Sequence, residues 1–356
     1  MLKEFYNNTP TIFLAHGFVG EVLGKTVNGV LMHSDLFNIV AIVDQKRVGQ
    51  DTAQICPGVT KTVPIVKEIS EALEYEAKVM ILMGPPTQDK WEDIKLCIRK
   101  KMDIINSAFV FLSEIPEIVS LAAEYDVRLI DLRNTKRYWR RADGSILNIK
   151  AKVVYLAGTD CGLGKRTAAA ELTREARKRG INAAMAGTGQ TGEMIGCDDG
   201  IIIDACLSEY TIGAVEQLIV NLDKRGFDLI FLEGQAGITH PASTNAISLL
   251  MGGNPHAVVL VHDPSRKFHY TENDTEWFRI KELGEIIRVV EMLSLPASNK
   301  FKVVALATRG EENIQLLRST QNLPVAEPRQ EGGPAIILDA VLAHLETEYN
   351  WKPTGC

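Results

Sequence analysis

The chain has 356 residues, enough for two domains at roughly 150 residues each. Apolar residues make up 46% and charged residues 24%, a balance that excludes a disordered or fibrous chain. With 39 basic against 45 acidic side chains the net charge is −6, which excludes a global attraction to nucleic acid or anionic lipid but leaves a local basic patch open.

Cys56, Cys97, Cys161, Cys197, Cys206 and Cys356 are scattered without a CxxC pair, which argues against a zinc ribbon or a disulfide framework. The opening MLKEFYNNTPTIFLAHG lacks the long apolar stretch of a signal peptide. No apolar run approaches the 18 or so residues of a spanning helix. The expectation is a cytoplasmic protein with a small-molecule substrate and no nucleic-acid or membrane partner. A homo-oligomer stays open.

Short apolar runs alternate with amphipathic stretches, the pattern of α/β folds with parallel sheets. In the first half, residues 11–15, 39–43, 63–66, 78–83, 109–112 and 128–130 read as strands. Helices are expected at 24–32, 67–75, 91–101 and 116–125, the last with Pro116 in its first turn, where a missing N–H costs nothing. The rhythm breaks over 134–150, a polar, basic stretch in which Asp143-Gly144 suggests a hairpin turn. Strands resume at 153–157, 181–186, 228–232, 257–261, 303–307 and 323–326, with helices at 166–179, 209–224, 241–251, 277–293 and 334–349. Gly180 and Gly226 follow two of these helices as C-terminal caps.

The strongest local signal is KVVYLAGTDCGLGKRTAAAELTREARKRG, residues 152–180. An apolar strand enters a glycine-rich turn that feeds an alanine-rich helix. Gly158, Gly162 and Gly164 let backbone N–H groups turn inward around an anion. The helix dipole adds partial positive charge, and Lys165 a full one. Residues Gly158, Thr159, Asp160, Cys161, Gly162, Gly164, Lys165, Arg166 and Thr167 are therefore the expected cofactor-binding set. A lysine in an empty loop of this kind should be reachable by solvent. The spacing Gly158-x5-Gly164-Lys165 is one residue longer than the usual loop, and Arg166 stands where a P-loop carries its Mg²⁺-binding hydroxyl.

This loop resembles the GTD-type loops of dethiobiotin synthetase, and FDLIFLEGQAG (227–237) is similar to that group's strand ending in Glu-Gly. The resemblance implies phosphate and metal roles for Asp160, Lys165 and Glu233, with Asp160 and Glu233 as ligands if a metal is used. Arg166 in place of the hydroxyl leaves Mg²⁺ in question. AGTGQTG (186–192) lacks that enzyme's substrate-handling lysine. Its Thr188, Gln190 and Thr191 are the expected substrate contacts there.

FLAHGFVGEVLGKTVNG, VDQKRVGQDT, GTDCGLGKRT, GTGQTG, LIFLEGQAG, VHDPSRK and LPVAEP occur in this order along nearly the whole chain. Together they resemble the DgcN-like family, related to D-glutamate N-acetyltransferase. The resemblance implies an α/β fold with an N-terminal Rossmann-like domain (1–133) and a C-terminal P-loop NTPase-like domain (151–356), both with mainly parallel sheets. Residues 134–150 would form the linker or hairpin. It implies an N-acetyltransferase that moves acetyl from acetyl-CoA to a D-amino acid such as D-glutamate. The alternatives are an ATP- or GTP-dependent kinase or ligase and a non-catalytic nucleotide-binding protein. Coenzyme A carries phosphates that such a loop could hold without hydrolysing anything. Acyl transfer needs a base for the amine proton and donors for the oxyanion.

In open α/β sheets ligands gather at the carboxyl ends of strands. Glu233 and Asp204 both fall at such ends by pattern, and either reads as a base or a metal ligand. His240, just before Pro241, is a third acid–base candidate, or a helix cap. Arg266 and Lys267 could grip a substrate carboxylate, or mark an exposed turn. Asp44 ends the second strand, where a dinucleotide fold places its ribose-binding acid, behind a loop with Gly17, Gly20, Gly24 and Lys25-Thr26. Lys136, Arg137, Arg140 and Arg141, interleaved with Tyr138 and Trp139, read as an interdomain contact or a solvated hairpin.

Overall fold

The structure is a computed structural model that describes residues 2–15, 17–20, 24–56, 58–84, 88–270 and 276–353. Residues 16 and 21–23 of the first glycine loop, the Lys25 side chain and Cys356 lie outside the described set. The chain divides into two units, Met1–Arg137 with Glu193–Gly196, and Tyr138–Gly192 with Cys197–Cys356.

The first unit is a Rossmann-like domain. Its strands are β1 (Thr9–Leu14), β2 (Phe37–Val43), β3 (Ile65–Val66), β4 (Val79–Leu82), β5 (Asp103–Asn106) and β6 (Leu129–Asp131). They form one parallel sheet in the order β3-β2-β1-β4-β5-β6, the order of doubly wound dinucleotide folds. Pro116 opens the helix Pro116–Tyr125 as its sequence position implies.

One expected strand is displaced. The apolar run 109–112 is a loop and a turn, with Phe109 and Val110 exposed, and the sheet instead takes Asp103–Asn106. Ile104 and Ile105 bury both faces of that strand, while the polar ends find partners. The Asn106 side-chain amide donates to the Val110 carbonyl and to Asp131. Phe109 lies under the Arg133 guanidinium, 4.1 Å from it.

The second unit holds β7 (Lys152–Gly158), β8 (Ala183–Gly187), β9 (Asp199–Gly200), β10 (Leu229–Glu233), β11 (Ala257–Val261), β12 (Val303–Ala307) and β13 (Val325–Ala326). All pair in parallel, in the order β13-β12-β11-β7-β10-β8-β9. Every residue of β8, β10, β11 and β12 is buried. That is why these segments read as unbroken apolar runs rather than alternating ones. Tyr155 is fully buried at the centre, and its hydroxyl donates to the Ala246 carbonyl. Left unpaired, such a hydroxyl costs about 1–3 kcal/mol. β7 lies between β10 and β11, so the glycine loop that leaves it is flanked by the loops after both neighbours.

The stretch 138–150 is not a hairpin. No strand flanks Asp143-Gly144, and Gly144 instead starts a short 3-10 turn, Ser145–Asn148. The stretch is strapped to the helix Thr211–Lys224 by the buried Glu216 carboxylate, which accepts from the Asp143 and Gly144 N–H groups and the Ser145 hydroxyl. Trp139 stacks on Tyr210, Arg140 pairs with Gln217 and Asp143, and Arg141 with Glu209. These residues are structural ties within the second unit.

Two expected helices start late. The helix expected from residue 241 begins at Asn245, and the one expected from residue 277 begins at Leu283. The residues before them bond elsewhere: the Ala242 N–H donates to His240 Nδ1, while the Phe278 carbonyl accepts the His269 N–H and the Ile280 N–H donates to the Lys267 carbonyl.

Candidate functional site

The helix Lys165–Lys178 starts directly after Gly164, whose φ of +101° is a conformation that favours glycine, as is the +70° of Gly162. The N-cap uses no side chain. Among the described residues, the N–H groups of Gly162, Leu163 and Gly164 make no hydrogen bond within the protein. Three consecutive open donors at a helix start form a concave anion site.

The loop after β10 runs beneath this turn. The Ile238 N–H donates to the Gly158 carbonyl, and a Cβ on Gly237 would sit 2.3 Å from the Thr159 carbonyl oxygen. Only glycine permits that approach. Thr159 is fixed from the other side, its N–H on the Val261 carbonyl and its hydroxyl hydrogen-bonded to His262 Nδ1 at 2.9 Å. Burial pushes the His262 imidazole down to about 4, so the ring is neutral at pH 7.

Lys165 departs from the expectation of solvent access. It is buried, and its Nζ donates to the Asp160 carbonyl at 2.6 Å. Its stem passes close to Gly158 and Gly234. The charge is thus held under the turn, positioned before any ligand arrives.

Asp160 is the hub of the loop. Its fully buried carboxylate accepts from Arg266 Nη1 at 2.9 Å, the Tyr270 N–H at 2.9 Å and His269 Nδ1 at 3.2 Å. Burial works to raise its pKa, but the bonds from His269, Arg266, Tyr270 and the Cys161 N–H outweigh it, holding the carboxyl at about 2. Arg266 also donates to the Cys161 carbonyl. Its guanidinium is therefore committed to the loop, and the carboxylate it grips is the protein's own. Lys267, the other cation proposed for a substrate carboxylate, donates to the Pro264 carbonyl.

Asp160, Cys161 and His240 offer ligand atoms within 4.8 Å of one another. The donor set does not suit Mg²⁺, which requires an octahedral shell of oxygens, because the Asp160 oxygens already face N–H donors and a guanidinium. Asp160 and Glu233 do not fall in one such group among the described residues.

Glu233 ends β10 and is buried. One carboxylate oxygen accepts the Thr188 N–H at 3.0 Å. Arg166 lies beside it: burial lowers the guanidinium pKa, and the Glu233 charge opposes that shift. Arg166, half-buried, thus stands under the influence of the Glu233 charge at the position where a metal-dependent P-loop presents its hydroxyl. Thr167 follows Arg166 in the first turn of the helix.

The other expected site residues divide. Thr188 is fully buried, with its hydroxyl on the Glu233 carbonyl and its own carbonyl taking Gln235 Nε2, so its side chain is committed internally. Gln190 and Thr191 open the short helix Gln190–Met194, Thr191 buried and Gln190 half-buried. Asp204 does not end a strand; it is exposed on the 3-10 turn Ile203–Ala205. His240 uses both ring nitrogens, Nε2 donating to the Tyr270 carbonyl at 3.0 Å and Nδ1 accepting the Ala242 N–H at 3.2 Å. That leaves neither nitrogen for a substrate proton. In the first unit, the fully buried Asp44 accepts from the Val19 and Lys46 N–H groups, so its carboxylate ties two loops where a ribose would otherwise bind.

His269 is a site residue that the sequence did not indicate. It bonds Asp160 from 109 positions away, and no local pattern marks it. It also packs edge-on against His240, with ring centroids 5.1 Å apart.

Among the described residues, no helix is long and apolar enough to cross a membrane. Residues 45–135 match a Rossmann-like domain of unknown function (DUF1611_N), and residues 140–337 match a P-loop domain of unknown function (DUF1611_C). A P-loop domain supports nucleotide binding. The chain is 26% identical to a D-glutamate N-acetyltransferase of Tritonibacter scottomollicae over 289 residues, 77% of this chain and 84% of the relative. It is 27% identical to a D-glutamate N-acetyltransferase of a Pseudoalteromonas species over 291 residues, 78% and 84% of the two chains. The crystal structure of a DUF1611 family protein from Anabaena variabilis superposes with a TM-score of 0.85 at 29% identity, covering 94% of this chain and all of the other. With a Rossmann-like sheet followed by a seven-stranded P-loop sheet, and with the family's P-loop match spanning more than half its length, this chain belongs to the DUF1611 family.

Proposed function

We propose that the protein is an N-acetyltransferase whose glycine turn holds the phosphates of acetyl-CoA while the acetyl group passes to the amine of a D-amino acid, D-glutamate by analogy with the named relatives. The observation that carries this reading is Arg166, set at the start of the helix Lys165–Lys178 with the Glu233 charge acting on it. It stands where a nucleotide-hydrolysing P-loop presents a hydroxyl to Mg²⁺, yet the cradle itself is intact, with three open N–H groups, a helix start and Lys165. Such a site grips a polyphosphate without metal and does not activate it for cleavage. Acyl transfer from a thioester needs the grip and not the cleavage.

The test is calorimetric titration of the protein with CoA, acetyl-CoA, ATP and GTP, each with and without Mg²⁺. CoA should bind with an affinity independent of Mg²⁺. Binding of ATP that requires Mg²⁺, with no binding of CoA, would replace this reading by a kinase or ligase.

A further inference from the structure

Next to the Asp160 hub lies a pocket of about 260 Å³ lined by Thr239, His269, Trp277, Phe278, Arg279 and Lys281. Three of its features point to a small anionic ligand. The Thr239 hydroxyl is buried without a hydrogen-bond partner among the described residues, a state that a ligand acceptor would relieve. The Arg279 guanidinium has no ion pair or hydrogen bond among the described residues, and Lys281 is held only by a long 3.8 Å contact to Glu285. The third feature is His269, whose Nδ1 is turned onto the ionised Asp160, so that the ring's other nitrogen, Nε2, is the one left for the pocket. A buried carboxylate on Nδ1 fixes ring orientation and tautomer and leaves Nε2 as a proton acceptor.

We infer that this pocket is the acceptor subsite, that His269 is the general base acting through Nε2, and that Asp160 is its positioning residue. The inference rests on the acyl-transfer reading above and adds to it the residues that handle the acceptor. Arg279 takes an acceptor carboxylate, with Lys281 beside it, and Thr239 donates to the same ligand. The acceptor ammonium gives up one proton to solvent. The amine nitrogen attacks the thioester carbon, forming a C–N bond; its second proton passes to His269 Nε2. The C–S bond breaks, and the thiolate leaves and takes that proton from His269. Thioester and amine become amide and thiol, with no oxidant and no phosphate released. The same residues account for the loop's architecture: Asp160 ties the phosphate turn to the acceptor pocket through one carboxylate.

The test uses the full chain, acetyl-CoA and D-glutamate, with thiol release as the readout. His269→Ala should lower kcat by about 100-fold or more, and added imidazole should restore part of it. Arg279→Ala, a surface change that leaves folding intact, should raise the acceptor KM about tenfold or more with kcat little altered. Both variants should bind CoA within twofold of the parent. A His269→Ala kcat within fivefold of the parent, or an unchanged acceptor KM in Arg279→Ala, would overturn the inference while leaving the acyl-transfer reading standing. A parent that neither binds CoA nor releases thiol fails that reading instead. Calorimetry with D-glutamate alone, parent against Arg279→Ala, then still decides whether the pocket binds a carboxylate.

Discussion

Lys165 gives the sharpest way to separate a phosphate cradle from a turn that only packs. Its Nζ donates to the Asp160 carbonyl at 2.6 Å and its stem runs beneath the loop, so two substitutions have different consequences. Lys165→Met keeps the stem and removes the charge. Losing one charge-assisted hydrogen bond to a ligand phosphate costs about 1.5–3 kcal/mol, a roughly 10- to 150-fold loss of affinity. Both substitutions strip the Asp160 carbonyl of this donor, and Lys165→Ala adds a packing defect, so it should cost a further ~2 kcal/mol of stability beyond Lys165→Met. Calorimetric affinity for CoA and thermal melting, read on the same samples, separate the two. Both variants should lose affinity, and the Tm of the Ala variant should fall clearly further than that of the Met variant. Affinity within twofold of the parent in the Met variant would mean that the loop binds no phosphate through this lysine.

Gly237→Ala should lower stability by about 1–3 kcal/mol, because its Cβ would press on the Thr159 carbonyl oxygen 2.3 Å away; a variant with parental Tm and CoA affinity would contradict the close approach. Asp160, held at about 2, contributes stability that is complete above the ordinary carboxylate range near pH 4 and lost as the pH falls through 2. Asp160→Asn should therefore be less stable than the parent at pH 7 by on the order of 2 kcal/mol, and the gap measured by urea unfolding should close toward pH 2; a gap independent of pH would refute the assignment. Because the buried Asp44 spends its carboxylate on Val19 and Lys46, the parent should show no NAD binding in a fluorescence titration, and Asp44→Asn should lower the Tm; NAD binding that Asp44→Asn abolishes would refute this.

The fold was legible where burial dictates the residue pattern. β11 and β12 are unbroken apolar fives, buried on both faces, and their sequence boundaries match the structure to the residue. β5 was missed because Asp103 and Asn106 bracket only two isoleucines, and its polar ends are satisfied by side chains and loops far along the chain. The phosphate turn was legible because its glycines and lysine are contiguous. What surrounds it was not. Arg266, His269 and the Tyr270 N–H reach Asp160 across 106 to 110 positions, and a contact at that separation leaves no local periodicity. Glu233 was found by its place at a strand end and His240 by its place before Pro241, but their surroundings, the Arg166 charge and the Tyr270 carbonyl, decide what they can do. For the same reason Thr188, polar and well placed by sequence, is committed to Glu233.

Acyl transfer is the central claim, and one assay addresses it without any variant. Purified protein is incubated with acetyl-CoA and D-glutamate in the presence of EDTA, and free thiol and N-acetylated amino acid are measured together, with an ATP reaction run in parallel for released phosphate. Thiol and N-acetyl-D-glutamate should appear in equal amounts without added metal, and no phosphate should be released from ATP. Phosphate release that depends on Mg²⁺, with no thiol formed from acetyl-CoA, would contradict the account.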